Sequence, residues 1–361
     1  MSIQAAFTLN PNEIFGSLAN MIISQEVFAD NLGKHQSLVD KARVDGGLYG
    51  DKKLYYATDA LVTHPWGCAY GTEQVEAQSL LALDRPAAPK VQDITLDVFR
   101  QIRITVDNYL SKRAWSTEGA FSQFNSIMLG WMRETKRVYD GTLYNVFIGT
   151  TETSVGEQDV QCDVSTAVGS ATGMEAAVLE ATEIARCLAD LIVKMGDYSR
   201  DYNDYQFLRS YADEGIKVIW NSDFVNKIKK VDLPTIFHKE GLVDKFEQDV
   251  LPGRYFGEIQ ASAHSTVAGE RAVKELFIGN KHYFPGDVIA TGSSVSAGES
   301  YKVASDVICK VLVKLPPMMS AFEVGTSFFN PRSLTENHYL TFGHNSLQYL
   351  KNYPFITVKA K

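Results

Sequence analysis

Phosphate chemistry is the first possibility to test. Gly292 to Ser300 reads GSSVSAGES and superficially resembles a phosphate-binding loop. A working loop sets its two glycines one residue closer and follows the second with a lysine that reaches the phosphates. Here five residues separate Gly292 from Gly298, and Glu299 stands in the lysine's place. A carboxylate there repels a nucleotide, so the segment reads as a polar loop. No Gly-x-Ser-x-Gly elbow presents a nucleophile, and no Gly-x-Gly-x-x-Gly follows a strand. The 7 histidines are dispersed and no His-Glu-x-x-His pairs two of them on a helix. His338 and His344 flank an aromatic strand, where partly exposed sheet histidines are a better reading than metal ligands. Asp197, Asp201, Asp204 and Glu240 are the carboxylates that could hold a hard cation if they converged, but solvated loop charges explain them as well. The 4 cysteines, Cys68, Cys162, Cys187 and Cys309, are far apart. Without a Cys-x-x-Cys pair they suggest neither zinc nor redox chemistry, and scattered thiols fit a reducing compartment. The expectation is a chain with no catalytic, cofactor-binding or metal-ligating residues and no cofactor. An enzyme of unrecognised type stays open as an alternative.

Composition narrows the classes further. Hydrophobic residues make up 45% and charged residues 22% of 361 residues, enough for two or three domains with real cores. Net charge is −8, and the densest basic cluster is Lys227, Lys229 and Lys230. A protein that reads nucleic acid needs a larger basic footprint, whereas a container for DNA does not. Met1 to Asn10 has neither the cationic start nor the apolar core of a signal peptide. No apolar run is long enough to span a bilayer. A soluble protein made in the cytoplasm is expected. Aromatic content of 11% gives mild support to protein–protein contacts.

The elements that would position any site come next. Asn10-Pro11-Asn12-Glu13 opens a first helix with Ile14, Phe15, Leu18 and Ile22 on one side. Phe28 to Gly50 reads as an extended arm with a short helix near Ser37 to Lys41. Lys53 to Val62 is strand-like. The clearest alternation follows: Ile94, Leu96, Val98, Ile102, Ile104 and Val106 all fall on even positions, with Phe99 the one odd break. A strand of that length would reach about 45 Å, longer than one compact core needs. It is expected to pair with Lys53 to Val62 in a hairpin leaving the body, packed mainly between subunits. Pro65-Trp66-Gly67 and Asp84 to Pro89 mark the loops between them.

Ser116 or Thr117 caps a long helix running to about Gly149. Its expected buried stripe is Phe121, Phe124, Met128, Trp131 and Val138. Gly119, Gly130 and Gly141 share another face, read either as close backbone packing or, at Gly141, as a helix stop. Thr150 to Gly173 reads as strand and loop. Met174 to Met195 is a strong helix, with Ala177, Ala181, Ile184, Leu188, Leu191 and Met195 at helical spacing and Gly196 closing it. Ile216 to Trp220 is a buried strand and Asp223 to Lys230 a short helix. Tyr255 to Ile259 and Asp287 to Ala290 are short strands. Val307 to Leu315 alternates before Pro316-Pro317. Phe322 to Phe329, His338 to Phe342 and Phe355 to Val358 are strands whose aromatics suggest one compact sheet covering the long helix. The fold class is α+β.

This order of parts resembles the capsid fold of tailed bacteriophages, named after phage Hong Kong ninety-seven. The long hairpin is similar to that family's extended loop, and Thr117 to Gly149 to its spine helix. Three sequence words add to the likeness. Asp197-Tyr198-Ser199-Arg200-Asp201-Tyr202-Asn203-Asp204, followed by Arg209-Ser210-Tyr211 and Ile216 to Trp220, resembles a stretch in capsid proteins of podophages related to phi twenty-nine. Val250-Leu251-Pro252-Gly253-Arg254-Tyr255-Phe256-Gly257 and Asn352-Tyr353-Pro354-Phe355-Ile356-Thr357-Val358 are similar to gut-phage capsid segments.

The resemblance implies an N-terminal arm over 1–45, an extended hairpin over 46–108, and the spine helix with the start of the peripheral domain over 109–154. An axial domain over 155–300 and return strands of the peripheral domain over 301–361 complete it. It implies a major capsid protein that assembles with itself, in hexamers and pentamers, into an icosahedral shell around double-stranded DNA. The implied further partners are scaffolding and portal proteins and non-specifically contacted DNA, with no membrane. The implied location is the virion, assembled in the host bacterial cytoplasm. The podophage relative's extra C-terminal domain is absent here, so a decoration or fibre-attachment role is not implied. A portal or tail subunit is the alternative virion role.

Overall fold

The computed structural model describes residues 38–45, 52–56, 59–61, 85, 88–107, 118–150, 159–229, 247–261, 276–278, 281–283, 299–303 and 306–361. The expected first helix after Asn10, the Asp287 to Ala290 strand, most of the Gly292 to Ser300 loop, Glu240 and Cys68 lie outside them. In chain order the elements are α1 (Leu38–Ala42), β1 (Arg43–Asp45), β2 (Lys52–Tyr56), β3 (Lys90–Ile94), β4 (Leu96–Asp107), α2 (Glu118–Thr150), β5 (Asp159–Cys162), α3 (Val164–Val168), α4 (Met174–Gly196), β6 (Lys217–Asn221) and α5 (Ser222–Lys229). There follow β7 (Glu247–Leu251), β8 (Gly257–Ala261), β9 (Leu276–Ile278), β10 (Lys281–Tyr283), β11 (Glu299–Val303), β12 (Val307–Leu312), β13 (Met318–Asn330), β14 (Thr335–Asn345) and β15 (Phe355–Ala360).

Two sheets carry the fold. A five-stranded sheet has the order β5-β15-β12-β6-β7. Helix α4 covers one face, where Ile184, Leu188, Leu191 and Met195 pack with Val218, Cys309, Val311, Ile356 and Val358. The last turns of α2 cover the other, where Tyr144, Phe147 and Ile148 pack with Ile219, Leu312 and Phe355. Strand β12 is central and lies between two helical layers, so all six of its residues are buried. That corrects the expected alternation from Val307: a strand covered on both faces is a continuous buried run. Burying side chains of this size stabilises the fold by about 1.5–3 kcal/mol each.

The second sheet has four strands in the order β1-β13-β14-β4. Its inner face meets the middle of α2: Met132 and Tyr139 pack against Leu340, Phe342, Ile102 and Ile104. Thus α2, 33 residues and about 50 Å long, spans both sheets. The expected single sheet of C-terminal aromatic strands is therefore divided. β13 and β14 join the four-stranded sheet, while β15 lies in the five-stranded one.

Three further expectations change. The long alternating strand pairs with β2 only through β3, where Tyr56 lies opposite Lys90 and Lys52 opposite Ile94. Its longer part, β4, pairs instead with β14 from Leu96–Asn345 to Asp107–Thr335. The even-position apolar face is real, but it covers the subunit's own helix. The expected helix stripe is rotated: Trp131 and Val138 are each 42% exposed, whereas Met132, Leu143, Tyr144 and Phe147 are buried. The side chains of Phe121, Phe124 and Met128 lie outside the described residues. Among the glycines, Gly130 faces open space rather than close backbone. Gly141 continues the helix rather than stopping it.

Helix α4 runs as its spacing predicts. Asp190 and Lys194 pair one turn apart at 2.8 Å, and Lys194 in the last turn suits the negative end of the helix.

Candidate assembly surfaces

The chemistry-bearing residues do not converge. His344 is buried on β14, and its Nδ1 lies 2.9 Å from the Asn345 carbonyl. A carbonyl only accepts, so in the neutral ring Nδ1 carries the proton and Nε2 accepts from the Tyr139 hydroxyl at 3.1 Å. His338 lies 3.9 Å from Glu336, further along the same strand. Asp204 accepts from the Tyr349 hydroxyl at 2.5 Å, and Asp197 accepts from the Tyr198 amide at 2.8 Å. Among the described residues no group of three or more His, Cys, Asp or Glu could hold a metal ion. Cys162, Cys187 and Cys309 meet in the core against α4. Burial pushes all three thiols above their ordinary value, which disfavours the thiolate form.

What the residues do build is a set of anchors that fix β2, β3 and residues 38–45 to the two sheets. At the β2–β3 root, the Tyr56 hydroxyl donates to Gln92 Oε1 at 2.8 Å. Gln92 in turn donates to the Tyr349 carbonyl at 2.9 Å and accepts from the Lys351 amide at 3.1 Å. Tyr56 also packs on the rings of Tyr205 and Tyr353. Just beyond, Asp59 accepts from the Leu208 amide at 2.8 Å and pairs with Arg200. The Leu208 amide, then Arg200, hold the Asp59 carboxyl down at about 2. The Asp197 to Arg209 word is thus a structural turn that grips the hairpin base. Asn203 shapes it, donating to the Phe207 carbonyl at 2.7 Å and accepting from the Phe207 amide at 2.8 Å.

Residues 38–45 are rooted as firmly. Leu38, Val39 and Ala42 are buried against Tyr144, Phe147 and Ile148 of α2. Lys41 bridges to Glu247 and Asp249, both at 2.8 Å. Arg43 reaches the buried Asp140 at 3.3 Å. Burial raises the Asp140 carboxyl above its ordinary value, with Lys136 and Arg43 pulling it back. Lys136, itself buried, pairs with Glu323 at 2.6 Å and lies over the Phe342 ring. Residues 38–45, the end of the expected arm, therefore pack into the subunit's own core.

The four-stranded sheet ends in exposed surface. A cleft of about 480 Å³ opens between α2 and β13–β14, lined by Gly130, Met132, Arg133, Ser327, His338 and others. Among the described residues, β1 covers the outer side of β13 at Met318 to Ser320. From Glu323 to Phe329 every residue is exposed, Phe328 at 61%. The exposed stretch has a trace in the sequence: Val324 to Asn330 reads VGTSFFN without a single charge.

A long helix bridging a five-stranded and a four-stranded sheet, with a rooted hairpin, is the architecture of tailed-phage capsid subunits. Comparison with solved structures supports this. The chain is similar to one in the capsid structure of Staphylococcus phage Andhra, with TM-score 0.55 and 9% identity, over 92% of this chain and 84% of that one. It is also similar to a chain in a structure of the head fiber and inner core protein gp22 of native bacteriophage P68, with TM-score 0.56 and 11% identity, over 88% and 83% of the two chains. No protein-family model and no curated protein matches the chain. The fold is thus that of the tailed-phage capsid.

Proposed function

We propose that this chain is the major capsid protein of a tailed bacteriophage, the repeating subunit of an icosahedral shell around double-stranded DNA. The observation that carries the reading is the likeness in fold to a chain of the Andhra capsid structure across nine-tenths of this chain. The role is structural rather than enzymatic. In this reading the chain's main partner is itself, in hexamers and pentamers, with portal and scaffolding proteins and loosely held DNA as further partners. It is located in the virion after assembly in the host cytoplasm.

The five-stranded sheet with α4 forms the axial unit. The four-stranded sheet with the middle of α2 forms the peripheral unit, and the segment between Tyr56 and Lys90 is the extended loop. A portal would be built on several long helices around a ring. Among the described residues the two longest helices have 33 and 23 residues, and both are buried against the subunit's own sheets.

Negative-stain microscopy of the purified protein tests the reading. Closed particles of hundreds of copies are expected. A ring of about a dozen copies, or a small discrete oligomer, overturns it.

A further inference from the structure

The two outer edges of the four-stranded sheet differ in kind. Strand β4 carries Asp97, Arg100, Arg103 and Asp107 along its length. Charges of this kind are how natural sheets keep a free edge from pairing with another chain. Strand β13 has no such protection beyond its first half. A register irregularity in its pairing with β14 lies between Ala321 and Val324, beyond the residues that β1 pairs with among the described residues. After it, Val324 to Asn330 has no charge, no proline and no strand on its outer side among the described residues. Val324, Phe328 and Phe329 are 40%, 61% and 49% exposed. A long, uncharged, apolar edge is a template for a further strand.

We infer that this edge pairs antiparallel with the same edge of a second copy, across a two-fold axis at Ser327. The sequence fits itself in that register. Ser327 meets Ser327, Thr326 meets Phe328, and Gly325 meets Phe329. No like charges come opposite each other, so nothing opposes the pairing. The Gly325–Phe329 match is the most specific. A Cβ on Gly325 would meet nothing within 4 Å, so the site is open, and Phe329 of the second copy would lie over it. Gly325 also lines the cleft beside α2, and the ring would enter that space. The same edge of β4 fits itself less well: pairing about its middle sets Arg100 against Arg103. The contact is isologous, so each pair closes and leaves the rest of both subunits free for other neighbours. It rests on the shell reading for its second copy, but it makes a separate claim about which edge that copy covers.

Cysteine cross-linking tests it. Ser327→Cys is exposed and uncharged, and strands paired at that point bring the two sulfurs within disulfide range. Full-length Ser327→Cys treated with diamide should run mainly as a covalent dimer, while the parent and Arg103→Cys stay monomeric on the same non-reducing gel. Ser327→Lys should leave the thermal melt of the subunit within a few degrees of the parent and reduce closed particles at least tenfold. Particles of normal yield from Ser327→Lys, or Ser327→Cys that never cross-links, overturn the edge pairing while leaving the shell reading intact. A Ser327→Cys dimer in a preparation whose parent forms no shells supports the edge pairing and sinks the shell reading.

Discussion

The backbone carbonyl oxygen of Tyr255 occupies the place where a side chain on Gly149 would begin. A Cβ at Gly149 would lie 2.1 Å from that oxygen. The close approach lets the last turn of α2 press against the turn holding Tyr255 and Phe256. Backbone cannot move aside as a side chain can, so Gly149→Ala should destabilise the subunit by about 3 kcal/mol or more. Gly130, in open space on the same helix, gives the control. Gly130→Ala should be neutral or stabilise by up to about 1 kcal/mol through helix propensity. Urea denaturation of both variants measures the contrast, and equal midpoints would refute it.

Trp131 and Met132 are neighbours with opposite roles. Met132 is 3% exposed in the core beneath the four-stranded sheet, and Trp131 is 42% exposed. Met132→Ala should cost about 2–5 kcal/mol. Trp131→Ala should cost under about 1 kcal/mol in the isolated subunit. Thermal melts of unassembled protein would show the order, and the reverse order would mean that α2 is rotated from the position described.

Ile102 is half-buried against Met132 and Tyr139 within one chain. Ile102→Asp should therefore lower subunit stability by about 2–4 kcal/mol, since a carboxylate gains no partner there. A variant that melts like the parent yet fails to assemble would place β4 in an intersubunit contact instead.

Asp59 makes stability depend on acid. Its folded carboxyl sits at about 2, below the ordinary 3.8. A depressed carboxyl adds stability that is complete above its unfolded value and is lost as pH falls through its folded one. The parent should therefore lose more stability than Asp59→Asn between about pH 4 and pH 2. Melting curves at several pH values in that window measure the difference. Parallel decline of the two proteins would show that the Leu208 amide and Arg200 do not hold the carboxylate.

The sequence showed the helices and strands better than their partners. Helix α4 was legible because its apolar residues repeat at one period and one face is buried. The even-position pattern from Ile94 to Val106 showed a strand with one covered face, but period two does not say what covers it. For β4 the partner is β14, more than two hundred residues away in sequence, and only the β3 part of the run pairs with β2. The spacing that puts Trp131 and Val138 on one stripe does not say which side of the helix is covered, and the sheet lies over Met132 and Tyr139 instead. The absence of charge from Val324 to Asn330 was visible in the sequence, but its meaning depended on finding the strand at an edge. The roles of Asp59 and Gln92 left no local trace, since their partners, backbone and side chain alike, lie far along the chain.

The placement of β15 between β5 and β12 has a consequence for synthesis. Thr357 pairs with Asp159 in parallel register, and the Lys361 amide and carbonyl bond to Cys162 and Ser165. The ribosome makes β15 about 200 residues after β5, a delay of roughly 10–40 s at bacterial elongation rates. Through that interval β5 has no strand beside it, and α4 has only part of the sheet it will cover. The sheet can close only once β15 has cleared the exit tunnel. A product truncated before β15 cannot complete the five-stranded sheet, although every strand of the four-stranded sheet has already been made.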